Sequence, residues 1–142
     1  MFNITTKWVT EKPPLGAQVN WDHPLSRGLV GCWLMNEGGG LKVNDIARKN
    51  NGSISGALWQ PTLKGIGVDF DGVDDKITVP THPSISNIWT AGGTVSFWVK
   101  VDANVASNIS YIIQKDIPGN GWIIASDNTA GQNIFLLANF SG

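Results

Sequence analysis

The chain has 142 residues, which is the size of a single domain, and its net charge at pH 7 is −1. Charged residues make up 15% of the sequence and hydrophobic residues 42%, a balance that excludes disorder of the highly charged kind. The ten Lys and Arg residues do not cluster, so the basic stripe of a nucleic-acid-binding protein is absent. The longest uncharged apolar run, residues 29–35, is too short to cross a membrane as a helix.

Residues 1–27 are predicted to form an N-terminal arm, because their prolines impose extended or turning backbone. The arm either lies along the domain or reaches a neighbouring chain, and a strand within residues 3–9 is compatible with both. Trp8 and Trp21 lie on this arm and are the candidates for anchoring it to a partner. The first ten residues lack the hydrophobic stretch of a signal peptide, so we expect synthesis in the cytoplasm.

Residues 28–142 are predicted to form an all-β domain. No window of helix length repeats apolar residues at helical spacing without Gly or Pro. Runs rich in Val, Ile, Phe and Trp are instead separated by Gly, Asn, Asp and Pro, and no helix-length segment that could support parallel crossovers intervenes. In chain order the predicted strands are residues 28–35, 53–55, 58–60, 65–70, 76–79, 94–101, 110–115, 121–126 and 133–140.

Four features of this pattern give specific expectations. Residues 28–35 (GLVGCWLM) are apolar on both faces, which predicts a strand in the middle of a sheet. Residues 65–70 and 76–79 flank an Asp- and Gly-rich turn and are interpreted as strand–turn–strand. Residues 94–101 (TVSFWVKV) alternate apolar and polar side chains, as a half-buried strand does. The spacing of the last three strands predicts a β-meander.

Several motifs occur in an order that resembles a known family. They are residues 27–40 (RGLVGCWLMNEGGG), Asp45 with the turn at 50–52, residues 56–59 (GALW), residues 68–75 (VDFDGVDD) and residues 93–100 (GTVSFWVK). In this order they resemble the laminin-G-like jelly rolls of the concanavalin A-like lectin/glucanase superfamily, in the version that bacteriophages carry.

The resemblance runs from about residue 13 to the end of the chain. It implies an antiparallel jelly-roll β-sandwich of two packed sheets. Domains of this family continue through several more strands than this sequence holds. The chain is therefore expected to be a fragment, a reduced and incomplete sandwich, or a sandwich that another chain completes.

The seven tryptophans suggest carbohydrate binding, because an indole ring is a rigid apolar plate that stacks on the C–H face of a sugar. The tryptophans in or beside apolar strands are expected to fill the core instead: Trp33, Trp59 and Trp122. Trp98 shares its predicted strand face with Lys100 rather than with the valines. Trp98, Trp89 and Lys100 are therefore the carbohydrate-binding candidates.

Calcium is the one cofactor that the sequence suggests. Carboxylates and turn carbonyls supply the oxygen ligands that calcium prefers, and Asp71 and Asp74 lie in an acidic run. Asp45 with Asn50 is a second candidate, which the family resemblance suggests. The alternative at both places is a structural turn, because Asp and Asn side chains bond to their own backbone.

The sequence offers little for catalysis. Glycoside hydrolysis needs two facing carboxyl groups, but the chain has only Glu11 and Glu37 and lacks the glutamate-rich strand motif of the glucanases. His23 and His82 both precede proline, and neither is expected to pair with a nucleophile. Cys32 lies in an apolar run and is interpreted as a buried, inert thiol. We therefore expect no enzyme.

The expected function is a non-catalytic binding module that recognises carbohydrate or another cell-surface ligand, within a phage or bacterial surface or virion protein. The alternative is a structural virion component, a capsid decoration or tail part assembled through residues 1–27. A glycoside hydrolase is a minor alternative. The expected partners are a glycan and either further copies of the chain or another virion chain, with neither nucleic-acid binding nor membrane insertion.

Overall fold

The computed structural model describes residues 12–86, 88–89, 92–101, 109–115, 121–127 and 134–138. Their contacts divide the chain into two compact units, Met1–Val95 and Ser96–Gly142. The regular secondary structure in the described parts of both units is mostly antiparallel strands, with helix limited to single turns in the first unit. This confirms the prediction of an antiparallel all-β protein.

The described part of the first unit contains short strands in two sheets. The strands are β1 (Lys42–Val43), β2 (Gly52–Ser55), β3 (Leu58–Thr62), β4 (Gly65–Asp69) and β5 (Lys76–Thr78). One sheet has the order β1-β2-β5, and the other is the β3-β4 hairpin. A turn of 3-10 helix (Pro24–Ser26) precedes the strands, and a turn of α-helix, α1 (Pro83–Ser86), follows them.

The strands β4 and β5 flank the loop at residues 71–75 as predicted, but they do not pair with each other. β4 pairs with β3, and β5 pairs with β2 through Ile54 opposite Ile77. Gly72 has a φ of 76°, and Asp71 and Asp75 bond to backbone N–H groups inside the loop. The loop therefore carries the chain from one sheet to the other instead of closing a hairpin.

Residues 28–35 do not form the predicted central strand. Their contact with a strand-like neighbour is a single antiparallel bridge, Trp33 opposite Asp45, and all but Gly28 are half-buried. The backbone leaves the β region at both ends, at Gly28 (φ 76°) and Met35 (φ 51°). The N–H of Cys32 bonds to a side chain rather than to a neighbouring strand. The segment is extended without belonging to a sheet.

The core of the first unit is built where the β1-β2-β5 sheet meets aromatic side chains. Val43, Ile54 and Ala57 are buried. Side chains that pack against them are Trp33, Met35, Trp59, Val68 and Ile77. The expectation that Trp33 and Trp59 fill the core is confirmed. Their indole N–H groups donate to the carbonyls of Asn50 and Gly40, each at 2.8 Å, so burial of these rings leaves no orphaned donor.

The second unit contains the predicted β-meander. Its strands are β6 (Ile109–Lys115), β7 (Trp122–Asp127) and β8 (Ile134–Ala138), and they pair in the order β6-β7-β8. The register is continuous between β7 and β8 and shifts once between β6 and β7, near Tyr111. The central strand holds the buried residues Ile124, Ala125 and Ser126, as expected for a strand with neighbours on both sides.

Residues 94–101 were predicted to be a strand, but they pair with none of the described strands. The alternation of burial survives nonetheless. Val95 and Phe97 are half-buried, whereas Ser96, Trp98 and Lys100 are exposed. The period of two therefore predicted the burial of Val95 and Phe97 but not that of Val99, which is 46% exposed, and the hydrogen-bonded ladder is missing from the described part of the chain.

The described part of the predicted arm begins at residue 12 and forms hydrogen bonds with the rest of the first unit. The Lys12 ammonium donates to the carbonyls of Met35 at 2.9 Å and Ile66 at 2.6 Å. The Asn36 amide donates to the carbonyl of Pro13 at 2.7 Å. These bonds place the described start of the arm along the domain. The predicted strand within residues 3–9 and Trp8 lie outside the described residues.

Candidate functional site

The carboxylate of Asp45 is a hub for backbone N–H groups. Its Oδ1 accepts from Cys32 at 2.8 Å and from Ala47 at 2.9 Å. Its Oδ2 accepts from Arg48 at 3.1 Å and from Asn50 at 3.0 Å. Asp45 is only 4% exposed, so these four donors replace water in satisfying a buried charge.

Asn50 extends the same network to other parts of the first unit. Its carbonyl accepts the indole N–H of Trp33, and its amide Nδ2 donates to the Val30 carbonyl at 3.3 Å and to the Ser84 hydroxyl at 3.1 Å. Asn50 is 7% exposed. It therefore ties the extended segment before β1 to α1.

This geometry bears directly on calcium at Asp45 and Asn50. An ionised carboxylate has about four lone-pair positions, and four N–H groups occupy them. A cation at Asp45 would have to displace these backbone donors, three of which belong to buried or half-buried residues. The arrangement fits a structural turn, which was the alternative to a metal site. Calcium binding at Asp45 and Asn50 stays a prediction, and it would cost the hydrogen bonds between Asp45 and these backbone donors.

Asp71 and Asp74 meet a third carboxylate, that of Asp75. One oxygen atom of each residue lies within 4.8 Å of the others. Asp75 Oδ2 accepts the Asp71 N–H at 2.9 Å, and Asp71 Oδ1 accepts the Val73 N–H at 2.8 Å, so two of the three also build the loop. Calcium takes six to eight oxygen ligands, and this cluster offers three carboxylates on an exposed loop. The cluster therefore supplies carboxylate oxygens, which calcium prefers, but fewer ligands than a complete calcium site needs.

Trp98 is the most exposed of the described tryptophans, with 85% of its surface accessible. Ser96 and Lys100 stand two residues away on either side and are also exposed. In extended backbone residues two apart point the same way, about 6.6 Å from each other. An apolar ring between a hydroxyl and an ammonium group therefore faces solvent in the second unit.

Trp89, the other carbohydrate candidate, belongs to the first unit and is half-buried. It sits in a tight turn in which the Gly92 N–H donates to the Trp89 carbonyl at 3.2 Å. A Cβ on Gly93 would collide with the carbonyl oxygen of Ile88, so the backbone approaches itself closely here. The surroundings of Trp89 are those of a packed turn, unlike the open surface around Trp98.

Trp21, the described anchoring candidate on the arm, is 50% exposed and already has a partner within the chain. The guanidinium of Arg48 lies over its ring, 5.6 Å from the ring centre, which is the geometry of a cation–π contact. Arg48 Nε also donates to the Leu29 carbonyl at 3.3 Å. The half of the ring that faces solvent remains available to a second chain.

Cys32 is half-buried, and burial raises the pKa of its thiol, with a smaller contribution from the negative charge of Asp45. A thiol with a raised pKa holds little of the reactive thiolate near neutral pH. This agrees with the interpretation of Cys32 as inert.

His82 contacts a serine, so the expectation that no nucleophile pairs with it is wrong. The Ser84 hydroxyl lies 2.9 Å from Nδ1 of His82, and the Ser84 N–H donates to the same atom at 3.2 Å. The order His-Pro-Ser at residues 82–84 signals this arrangement, because proline starts a helical turn and the preceding side chain caps it. His23 repeats the cap, since its Nδ1 accepts the Leu25 N–H at 3.2 Å.

Among the described residues no helix is both long and apolar enough to span a membrane. Comparisons of the chain with protein-family models, with curated proteins and with solved structures found no match.

Proposed function

We propose that the chain is a non-catalytic binding module that recognises carbohydrate through Trp98, as part of a phage or bacterial surface or virion protein. The observation that carries the proposal is the 85% exposure of this indole in the second unit. Exposing a ring of this size to water forgoes the burial that normally stabilises tryptophan, and stacking on a sugar recovers it.

The flanking residues suit the same ligand. Ser96 supplies a hydroxyl and Lys100 an ammonium group on the exposed side of the segment. Sugars combine an apolar C–H face with hydroxyl groups around the ring. An aromatic plate with polar groups on both sides along the chain matches that combination.

For the fold we propose a laminin-G-like jelly roll. The antiparallel pairing throughout, the β3-β4 hairpin and the β6-β7-β8 meander support it. The order of the sequence motifs, from residues 27–40 to residues 93–100, supports it independently.

Binding by the second unit is preferred to assembly through the arm because Lys12 and Pro13 are already bonded to their own unit. An arm that docks on a neighbour would have its polar groups satisfied by that neighbour instead. Sedimentation of the full chain and of a variant lacking residues 1–27 separates the two functions. Loss of an oligomer in the variant would favour the assembly role.

The proposal is tested by screening the full chain against a diverse glycan array, with calcium and with a chelator. Trp98→Ala should weaken binding to any glycan found by roughly 30-fold, because a stacked aromatic anchor is worth about 2 kcal/mol. Trp98→Tyr keeps an aromatic plate and should retain most of the affinity. Trp21→Ala is the matched control, because it removes an indole from the first unit. The absence of binding under both calcium conditions, or equal losses in Trp98→Ala and Trp21→Ala, would overturn the proposal.

A further inference from the structure

A small cleft opens beside the buried network of Asp45 and Asn50 in the first unit. Its volume is about 230 Å³, below the roughly 300–1,000 Å³ of sites for drug-sized ligands. It is therefore the right size for one small chemical group rather than for a large molecule. The residues that line it are Lys49, Asn50, Asn51, Pro80, Thr81 and His82.

The residues that line this cleft carry one cation and several side chains that can donate hydrogen bonds. Lys49 is exposed and carries a positive charge, and none of the six lining residues is acidic. The amide oxygen of Asn51 accepts the Asp45 N–H at 2.9 Å. The Nδ2 group of Asn51 can then donate hydrogen bonds to a bound ligand. The neighbouring carboxylate of Asp45 is buried beneath four N–H groups.

His82 contributes a donor as well. Its Nδ1 accepts the N–H of Ser84 at 3.2 Å and lies 2.9 Å from the Ser84 hydroxyl. The neutral ring therefore carries its proton on Nε2. His82 is exposed and lines the cleft, so its ring can present this N–H to a bound group.

The lining is held in position by the buried network. Asn50 donates to the Ser84 hydroxyl at 3.1 Å, and Ser84 in turn fixes the imidazole of His82. Lys49 occupies the left-handed region with a φ of 65°, which costs a non-glycine residue roughly 1–2 kcal/mol. Its N–H donates to the Asp45 carbonyl at 3.3 Å, so the same network that binds Asn50 holds this conformation.

We propose that this cleft binds a small oxyanion, a carboxylate, phosphate or sulfate group, through Lys49, Asn51 and the Nε2–H of His82. An ammonium group and two N–H donors around a small volume are the groups that recognise oxyanions, and charge-assisted hydrogen bonds are the strongest of their kind. The site is in the first unit and does not depend on the carbohydrate proposal for Trp98.

The test is NMR titration of the full chain with inorganic phosphate, sulfate or acetate, at an ionic strength kept constant with chloride. Signals of the Lys49 and Asn51 amides and of the His82 ring should shift and saturate at millimolar anion. Parallel titrations with glucuronate and with glucose show whether the bound oxyanion can be the carboxylate of a sugar as well as a free inorganic anion. Shifts that fail to saturate, or that chloride reproduces, would overturn the proposal.

Matched variants each remove one hydrogen-bond donor of the cleft and are expected to leave the fold intact. Lys49→Asn deletes the charge and keeps a residue that tolerates positive φ, and it should weaken binding about tenfold. His82→Asn keeps an acceptor for the Ser84 N–H while losing the Nε2–H, and it should also bind more weakly. Lys64→Asn removes a lysine that does not line the cleft and should bind as the wild type does. Equal affinity in Lys49→Asn and the wild type, or an equal loss in Lys64→Asn, would contradict the site.

Discussion

Oδ1 of Asp45 accepts the backbone N–H of Cys32 at 2.8 Å, across 13 residues of sequence. This bond draws the extended segment 28–35 against the turn that follows β1, and three N–H groups of that turn complete the surroundings of the carboxylate. The polar network then continues through Asn50 to Ser84. One buried carboxylate thus organises the region that holds the cleft.

Asp45→Asn should lower the free energy of unfolding by about 2–4 kcal/mol. An amide offers one acceptor oxygen, and its NH₂ group would face backbone N–H donors that now bond to Oδ1 or Oδ2. Urea unfolding measures the change. Asp69→Asn, at the exposed end of β4, is the control and should unfold at the wild-type midpoint. Similar midpoints for both variants would contradict the structural role of Asp45.

Gly56→Ala should destabilise the first unit by about 2 kcal/mol or more. Gly56 has a φ of 82°, and an added Cβ would collide with Oδ1 of Asp75. Gly39→Ala provides the matched control, because a Cβ there meets nothing within 4 Å and no positive φ is required. Thermal unfolding of the two variants should therefore differ by many degrees, and equal melting temperatures would mean that the 71–75 loop does not pack on Gly56.

Local pattern predicted the strands better than their partners. The β6-β7-β8 meander and the packing of Trp33 and Trp59 follow from alternation and turn residues, which act over a few positions. The pairing of β5 with β2 rather than β4 is a contact between distant segments, and nothing in the adjacent residues signals it. The Asp- and Gly-rich loop between β4 and β5 has the composition of a hairpin turn, yet the strands on its two sides belong to different sheets.

The candidate sites divide in the same way. A local pattern placed Trp98 on the strand face of Lys100 rather than of the valines, and the ring is 85% exposed. The role of Asp45 depends on donors from Cys32 and Asn50, which converge only in the folded chain. The bond between His82 and Ser84 was within reach of the sequence, since only Pro83 stands between them.

Cys32 should react slowly with iodoacetamide in the folded protein. Burial, and then the charge of Asp45, raise the pKa of the thiol above the ordinary value of 9.0. At about pH 8 the native chain should be alkylated about tenfold more slowly than the urea-unfolded chain, and mass spectrometry can follow both. Equal alkylation rates would show that the Cys32 thiol is not shielded from the reagent and that its pKa is not raised.

The same raised pKa makes stability depend on pH with a defined sign. Above pH 9.0 the unfolded chain releases the Cys32 proton more readily than the folded chain does, so the free energy of unfolding falls as pH rises through the folded pKa. Cys32→Ala lacks this contribution. The wild type should therefore lose stability relative to Cys32→Ala in this alkaline range, and a flat difference between them would contradict the raised pKa.

Lys12→Met should lower the free energy of unfolding by about 1–3 kcal/mol. The variant keeps the apolar stem but removes the donors to the carbonyls of Met35 and Ile66. Urea unfolding of Lys12→Met and of Lys64→Met, which alters an exposed hairpin turn, provides the comparison. Equal stability of the two variants would show that the ammonium does not hold the arm.

The difference in the free energy of unfolding between the wild type and Lys12→Met should depend on pH, and this dependence tests the burial of Lys12. Burial lowers the pKa of its ammonium below 10.5, although the nearby charge of Glu37 acts in the opposite direction. Between the lowered pKa and 10.5 the unfolded chain binds more protons than the folded chain, so the wild type gains stability with rising pH. The advantage of the wild type over Lys12→Met should grow as the pH approaches 10.5 and shrink as it falls through the folded pKa. An advantage that decreases over this range would mean that Lys12 is held by ionic attraction to Glu37 and not by its buried bonds to backbone carbonyls.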